Sequence, residues 1–236
     1  MYNLSANSSK IIDDYLCLPL PGALVRTPYY NNKHKGVRMG LPALVGKGTP
    51  KEIAEEALIY ATREKIDLAS LDTESKQRFL VDHSLGIDCS GLAYHILDAE
   101  SQARDKGSLA SHLQYPLNNG ILSRLGRYIR RRYAQNADTL TLAHPFNSGE
   151  IKQSDLAPGD LVVLIDRGGG ERNHVLVVES VDEKKVSLIH SIANAEDGKY
   201  NHGARMENFT ISDQIANEIR EKFRAKSIWL RRFNWL

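Results

Sequence analysis

The chain has 236 residues, of which 42% are hydrophobic and 25% charged, as is ordinary for a globular protein. Its 31 basic and 29 acidic residues leave a formal net charge of +2, which is too small to indicate nucleic-acid binding. No apolar run approaches the roughly 20 residues of a membrane-spanning helix. The first ten residues are polar and lack the apolar core of a secretory signal. We therefore expect a cytoplasmic chain, or one exported by a route other than the Sec pathway.

Residues 1–48 contain several prolines and glycines and predict an irregular N-terminal arm ahead of a domain spanning 49–236. The first helix is predicted to begin at Thr49, because Thr49 and Glu52 form a capping-box pattern around Pro50. It should run to about Lys65, and a short helix should follow around residues 74–81.

The stretch from Gly86 to Leu92 predicts the start of a helix over about 89–104. Asp88 is a suitable N-cap, which places Cys89 in the first turn, where unpaired N–H groups and the helix dipole favour a thiolate. Thiols in such positions have pKa values of roughly 3.5–7.5. The pattern fits a cysteine nucleophile, and the alternative is a small buried thiol at a helix start.

Residues 105–155 form an insertion-like region that contains a cluster of arginines. Arg127 and Arg131 are spaced to lie on one helix face, where guanidinium groups could pair with the carboxylate or phosphate of a ligand. The alternative is a solvated basic helix face.

Core strands are predicted over 161–165, 174–180 and 186–190, followed by a helix over 213–225 and a final strand over 227–233. His174 opens the second of these strands and His190 closes the third. Two antiparallel neighbours can place the two histidines side by side. A thiol nucleophile needs such a base, and the base needs a group that orients it.

Four pieces in this order resemble the NlpC-type papain-like cysteine peptidases, which cut bacterial cell-wall peptides. The pieces are Asp88-Cys89-Ser90-Gly91-Leu92, Pro158-Gly159-Asp160-Leu161-Val162, His174-Val175 and Ile189-His190-Ser191. The resemblance covers about residues 50–236. It implies an α+β, papain-like fold in which the nucleophile helix packs on a central antiparallel sheet.

The resemblance also implies a catalytic set of three residues. Cys89 would attack an amide carbonyl, His174 would move the proton, and His190 would orient the His174 ring. Asp88, Ser90, Asn173 and Ser191 flank these residues and are candidate substrate-binding groups, together with the two arginines above. The expected substrate is a peptidoglycan stem peptide, cut between D-glutamate and a diamino acid, and no cofactor is expected.

Three alternatives remain open at the level of sequence. One cysteine and two histidines could bind zinc, although no recognised ligand spacing supports a metal site. The same thiol could catalyse deamidation or acyl transfer on a cytoplasmic substrate. The chain could also be a binding module on an inactive peptidase fold. The sequence does not indicate an oligomeric state.

Overall fold

The computed structural model describes residues 3–31, 41–116, 133–167 and 173–236. These ranges contain α-helices and one antiparallel sheet, which confirms the predicted α+β class. The helices are α1 (Ala6–Leu16), α2 (Pro50–Glu64), α3 (Thr73–Asp82), α4 (Cys89–Ala103), α5 (Leu109–His112), α6 (Tyr133–Asn136), α7 (Thr139–Leu142) and α8 (Ile215–Lys222). The strands are β1 (Ser148–Glu150), β2 (Leu161–Arg167), β3 (Asn173–Val181), β4 (Lys185–Ile192), β5 (Gly203–Thr210) and β6 (Ala225–Phe233).

The six strands pair in the order β1-β6-β2-β3-β4-β5, and every neighbouring pair is antiparallel. The predicted core strands are confirmed with slightly longer bounds. Two strands were not predicted: β1 is only three residues long, and β5 reads GARMENFT, which lacks a clear apolar alternation.

Each face of the sheet packs against its own hydrophobic cluster, because successive side chains of a strand point to opposite faces. Val175 and Val177 of β3 belong to the cluster that contains the apolar residues of α1, α2 and α4. Leu176 and Val178 belong to the second cluster, with Ile215 and Ile219 of α8. We call these the α4 face and the α8 face.

The start of α4 is set by Asp88, as predicted. Its carboxylate accepts a hydrogen bond from the backbone N–H of Gly91 at 2.6 Å, which satisfies one of the unpaired donors of the first turn. Cys89, Leu92, Ala93 and Ile96 then turn toward the sheet and are buried. The helix contacts β3 and β4 on the α4 face.

The N-terminal arm is not irregular throughout, which corrects the prediction for residues 1–48. Residues 6–16 form α1, capped by Ser5, and this helix packs on α4. Its sequence, ANSSKIIDDYL, buries only Ser8, Ile12 and Tyr15. So sparse an apolar stripe gave little periodic signal, and the helix depends on tertiary packing for its stability.

Candidate functional site: the Cys89 turn and a buried histidine pair

Cys89 is the first residue of α4 and is 7% exposed. Its Sγ lies 3.9 Å from the hydroxyl of Thr139, the first residue of α7. Neither Cys17 nor Cys89 forms a disulfide. The predicted placement of this thiol at the start of a capped helix is therefore observed.

Three of the predicted substrate-binding residues surround this turn. Ser90 Oγ donates to Asp88 Oδ1 at 3.1 Å, and Ser191 Oγ of β4 donates to the carbonyl of Ile87 at 2.7 Å. All three side chains are buried and engaged in bonds within the protein. In this structure they shape the turn that carries the thiol.

A residue that sequence analysis missed joins them. The ammonium of Lys47 donates to Asp88 Oδ1 at 2.8 Å, to Ser90 Oγ at 2.6 Å and to the carbonyl of Ala137 at 2.9 Å. The only sequence signal was a lysine between two glycines, in an otherwise apolar segment just before α2. That signal does not distinguish a buried lysine from one in a solvated loop.

His174 and His190 lie side by side, as expected from neighbouring strands. His174 Nε2 and His190 Nδ1 are 2.8 Å apart, and one of the two ring nitrogens donates to the other. Both rings also contact Phe223, which follows α8 in the chain. Phe223 belongs to the hydrophobic cluster of the α8 face.

The structure does not bring this pair together with Cys89. Val175 lies on the α4 face, so its neighbours in the strand, His174 and Leu176, lie on the opposite, α8 face. His190 likewise lies on the face of Leu188 and Ile192. The thiol belongs to the other cluster, so the sheet separates it from both imidazoles. The predicted contact between His174 and the Cys89 thiol is therefore wrong in this structure.

The two histidines lie on the α8 face because of their positions along strands β3 and β4. Asn173, the predicted neighbour of the base, is the β3 residue that shares the α4 face with Val175, and it is half-buried. Ser191 occupies the corresponding place on β4, as its bond to Ile87 demonstrates. A shift of one residue along a strand exchanges the two faces, and this register places both histidines on the far side.

Burial lowers the pKa of both histidines and so keeps the rings neutral at pH 7. For His174 the pKa falls well below 6.5 because of burial, and His190, Arg167 and Arg205 add to the effect. Burial also lowers the pKa of His190, although the carboxylate of Glu207 opposes this. Nδ1 of His174 and Nε2 of His190 have no hydrogen-bond partner among the described residues.

Glu207 of β5 completes this second cluster. Its Oε1 lies 3.7 Å from His190 Nε2, which is too long for a hydrogen bond, and its Oε2 accepts from Lys222 of α8. The approach to the His190 ring and the ammonium of Lys222 lower the pKa of Glu207 below its usual value. The carboxylate is therefore ionised beside a neutral His190.

The two predicted arginines and the alternative metal site add nothing to the described geometry of the site. Arg127 and Arg131 lie outside the described residues. In the described part of the chain, no cluster of three or more His, Cys, Asp or Glu side chains is arranged to hold a metal ion. The same residues include no helix with the length and apolar character needed to cross a membrane.

A cavity of about 600 Å³ opens beside Lys47. Glu52, Tyr94, His95 and Tyr133 are among its lining residues, but Cys89 and Ser90 are not. The cavity therefore lies next to the support of the thiol turn and not next to the thiol.

Comparison with protein-family models, with curated proteins and with solved structures finds no match.

Proposed function

We propose that the chain performs thiol-dependent acyl chemistry through Cys89, on a papain-like fold of the NlpC type. The observation that carries this proposal is the position of Cys89 as the first residue of α4, in a buried turn built around Asp88, Ser90 and Lys47. A helix start offers free backbone N–H groups to an oxyanion and favours the thiolate form of the sulfur.

The chemistry begins with attack of the Cys89 thiolate on a carbonyl carbon. A C–S bond forms, and the bond from that carbon to its leaving group breaks, which gives an acyl-enzyme. Water or another nucleophile then displaces the sulfur and regenerates the thiolate. With water as acceptor the reaction is hydrolysis, and with an amine or a thiol it is acyl transfer.

The first candidate substrate is an amide of a peptidoglycan stem peptide, at the bond between D-glutamate and a diamino acid. Support comes from the resemblance of Asp88 to Leu92 and of Pro158 to Val162 to the wall peptidases. An amine leaving group must receive a proton as the C–N bond breaks. The assigned donor was His174, which lies across the sheet from the thiol.

That separation favours a second candidate, acyl transfer from an activated donor such as a thioester. A thiolate leaving group, whose conjugate acid has a pKa of about 8.5, departs without being protonated. Cys89 could therefore exchange with a thioester without an imidazole beside it.

The test compares both substrate classes on the full chain. Wild type, Cys89→Ser, His174→Ala and Cys17→Ser are incubated with purified muropeptides and, separately, with a small acyl thioester. Products and any acyl-enzyme are read by mass spectrometry. We expect an adduct on Cys89, loss of turnover in Cys89→Ser and retained turnover in Cys17→Ser.

The outcomes separate the candidates. Cleavage of muropeptides supports the hydrolase, and turnover of the thioester alone supports acyl transfer. If folded wild-type protein turns over neither and forms no adduct, the enzymatic proposal fails and the binding-module alternative remains. Loss of turnover in a stably folded His174→Ala protein would show that the imidazole reaches the thiol in solution.

A further inference from the structure

Lys47 is held at the thiol turn by its main chain as well as by its ammonium. Residue 47 forms an antiparallel bridge with Ile87, and its carbonyl lies 2.9 Å from His95 Nε2 of α4. The carbonyl of Gly46 accepts from the backbone N–H of Asp88 at 2.9 Å. This segment and the start of α4 are therefore joined by both main-chain and side-chain bonds.

Gly91 allows this close approach. A Cβ at position 91 would lie 2.8 Å from the carbonyl oxygen of Gly46 and 3.1 Å from Cδ of Lys47. A larger residue would push the lysine away from α4. Steric contact with the Gly46–Lys47 segment thus explains why the Asp-Cys-Ser-Gly pattern requires glycine at position 91 in this chain.

The charges at this turn have opposing effects on Cys89. The Asp88 carboxylate caps α4, but a negative charge adjacent in sequence disfavours a thiolate. The ammonium of Lys47 bonds directly to that carboxylate, and the side chains of the pair are 8% and 7% exposed, so water screens the pair weakly. The lysine offsets the negative charge while the cap is retained.

We propose that Lys47 is a positioning residue that makes Cys89 reactive by neutralising the Asp88 carboxylate and fixing the turn that carries the thiol. This inference rests on the proposed thiol chemistry and adds to it a residue that acts through Asp88. Thr139 of α7 lies 3.9 Å from the thiol and Ser191 of β4 bonds to the carbonyl of Ile87, and neither side chain titrates. Two titratable side chains also face the Lys47–Asp88 pair. Burial lowers the pKa of His95, which contacts the Lys47 carbonyl, and burial raises the pKa of Tyr15, which interacts with Asp88.

The test is a charge cycle on the full chain, using Lys47→Met, Asp88→Asn and the double variant. The rate of iodoacetamide alkylation is measured from pH 5 to 10 by peptide mass spectrometry, with Cys17 in the same molecule as internal reference. Alkylation follows the thiolate fraction. We expect Lys47→Met to slow labelling of Cys89 at pH 7 by about tenfold, the effect of one pKa unit.

Asp88→Asn should act in the opposite direction, since asparagine still caps a helix while the ammonium loses its counter-charge. Labelling of Cys89 should then extend to lower pH than in wild type. The double variant should return close to the wild-type profile. If Lys47 had a purely structural role, the two single variants would not shift the pH profile of Cys89 alkylation in opposite directions. If Lys47→Met does not fold, the direction of the Asp88→Asn shift alone decides.

Lys76→Met is the matched control. Lys76 is also buried, but its ammonium donates only to the backbone carbonyls of Pro21 and Ala23 among its observed bonds. The Lys76→Met variant should be less stable than wild type but should keep the wild-type pH profile of Cys89 alkylation. If Lys47→Met and Asp88→Asn both keep the wild-type profile, the inference is overturned, whether or not substrates react. If the profiles move as expected and no substrate reacts, the inference stands and the proposed function fails.

Discussion

At the scale of single residues, the histidine pair is the clearest difference between expectation and structure. The sequence placed His174 and His190 on neighbouring strands, and their 2.8 Å contact agrees with this. The face was not predictable, because β3 is apolar on both sides and its sequence, Asn-His-Val-Leu-Val-Val, has no alternation to orient it. Sequence order therefore predicted which residues meet but not which side of the sheet they occupy.

The pair should make the fold sensitive to acid. Folding keeps both rings neutral, whereas the unfolded chain protonates them below about pH 6.5. The unfolded state then binds more protons, so the free energy of unfolding falls as the pH drops below that value. We expect a loss of up to about 1.4 kcal/mol per pH unit for the first proton, measured by urea unfolding at pH 7, 6 and 5.

The double variant His174→Leu/His190→Leu should flatten this dependence, because it removes both titrating groups and leaves no buried ring unpaired. His112→Ala, at an exposed position, should keep the wild-type slope. An unchanged slope in the double variant would mean that other groups cause the acid sensitivity.

At the scale of elements, local signals predicted more than long-range ones. The Thr49–Glu52 capping box and the Asp88 cap are both present, because each depends on residues within one helical turn. By contrast, β5 is held by pairing with β4 along its whole length and carries little signal of its own. Its prediction would have required knowledge of the partner strand.

The turn before β2 is tied to β6 by a two-pronged ion pair. Arg232 donates to Asp160 Oδ1 at 2.7 Å and to Oδ2 at 2.8 Å, and Asp160 is fully buried. Asp160 Oδ2 also accepts from the backbone N–H of Ala157 at 2.7 Å. The Pro158-Gly159-Asp160 pattern of the sequence is thus explained by packing, with no contact to the thiol required.

Asp160→Asn should lower the free energy of unfolding by about 1.5–3 kcal/mol, the range for a hydrogen bond to a charged group. Asp166→Asn is the control on β2, the strand that follows Asp160, because Asp166 pairs with Lys226 of β6 at 2.8 Å but both side chains are exposed. The control should change stability by at most about 1 kcal/mol. Equal losses in both variants, measured by urea unfolding, would contradict the assigned role of Asp160.

At the scale of the whole molecule, the N-terminal arm is part of the core. Glu100 of α4 accepts from the backbone of Ser5 and the hydroxyl of Ser8, at 2.9 and 2.8 Å. Tyr15 donates to the carbonyl of Gly48 at 2.8 Å, and Thr27 accepts from the backbone of Ala204 at 2.9 Å. The arm therefore connects α4, the segment before α2 and the edge strand β5.

Deleting residues 1–22 should prevent cooperative folding. The deletion removes Ile12, Tyr15 and Leu18, which are 4%, 0% and 2% exposed, and uncovers the surface beneath them. Burial of three such side chains contributes about 5–9 kcal/mol, comparable with the whole stability of a typical protein, about 5–15 kcal/mol. Tyr15→Phe should lose only about 1 kcal/mol. A deleted chain that unfolds cooperatively at the wild-type urea concentration would contradict this.

The hydrogen bond from Ala204 to Thr27 also constrains the order in which segments can dock during synthesis on the ribosome. The acceptor is synthesised roughly 180 residues before its donor, and at about 5–20 residues per second that interval is roughly 10–35 seconds. During this time Thr27 has no partner strand to pair with. Ile12 and Tyr15 cannot be buried until α4 has emerged. The segment around Thr27 is therefore among the last parts to dock, whereas α1 can already pack on α4. Nascent chains stalled before β5 should bind chaperones through the segment around Thr27.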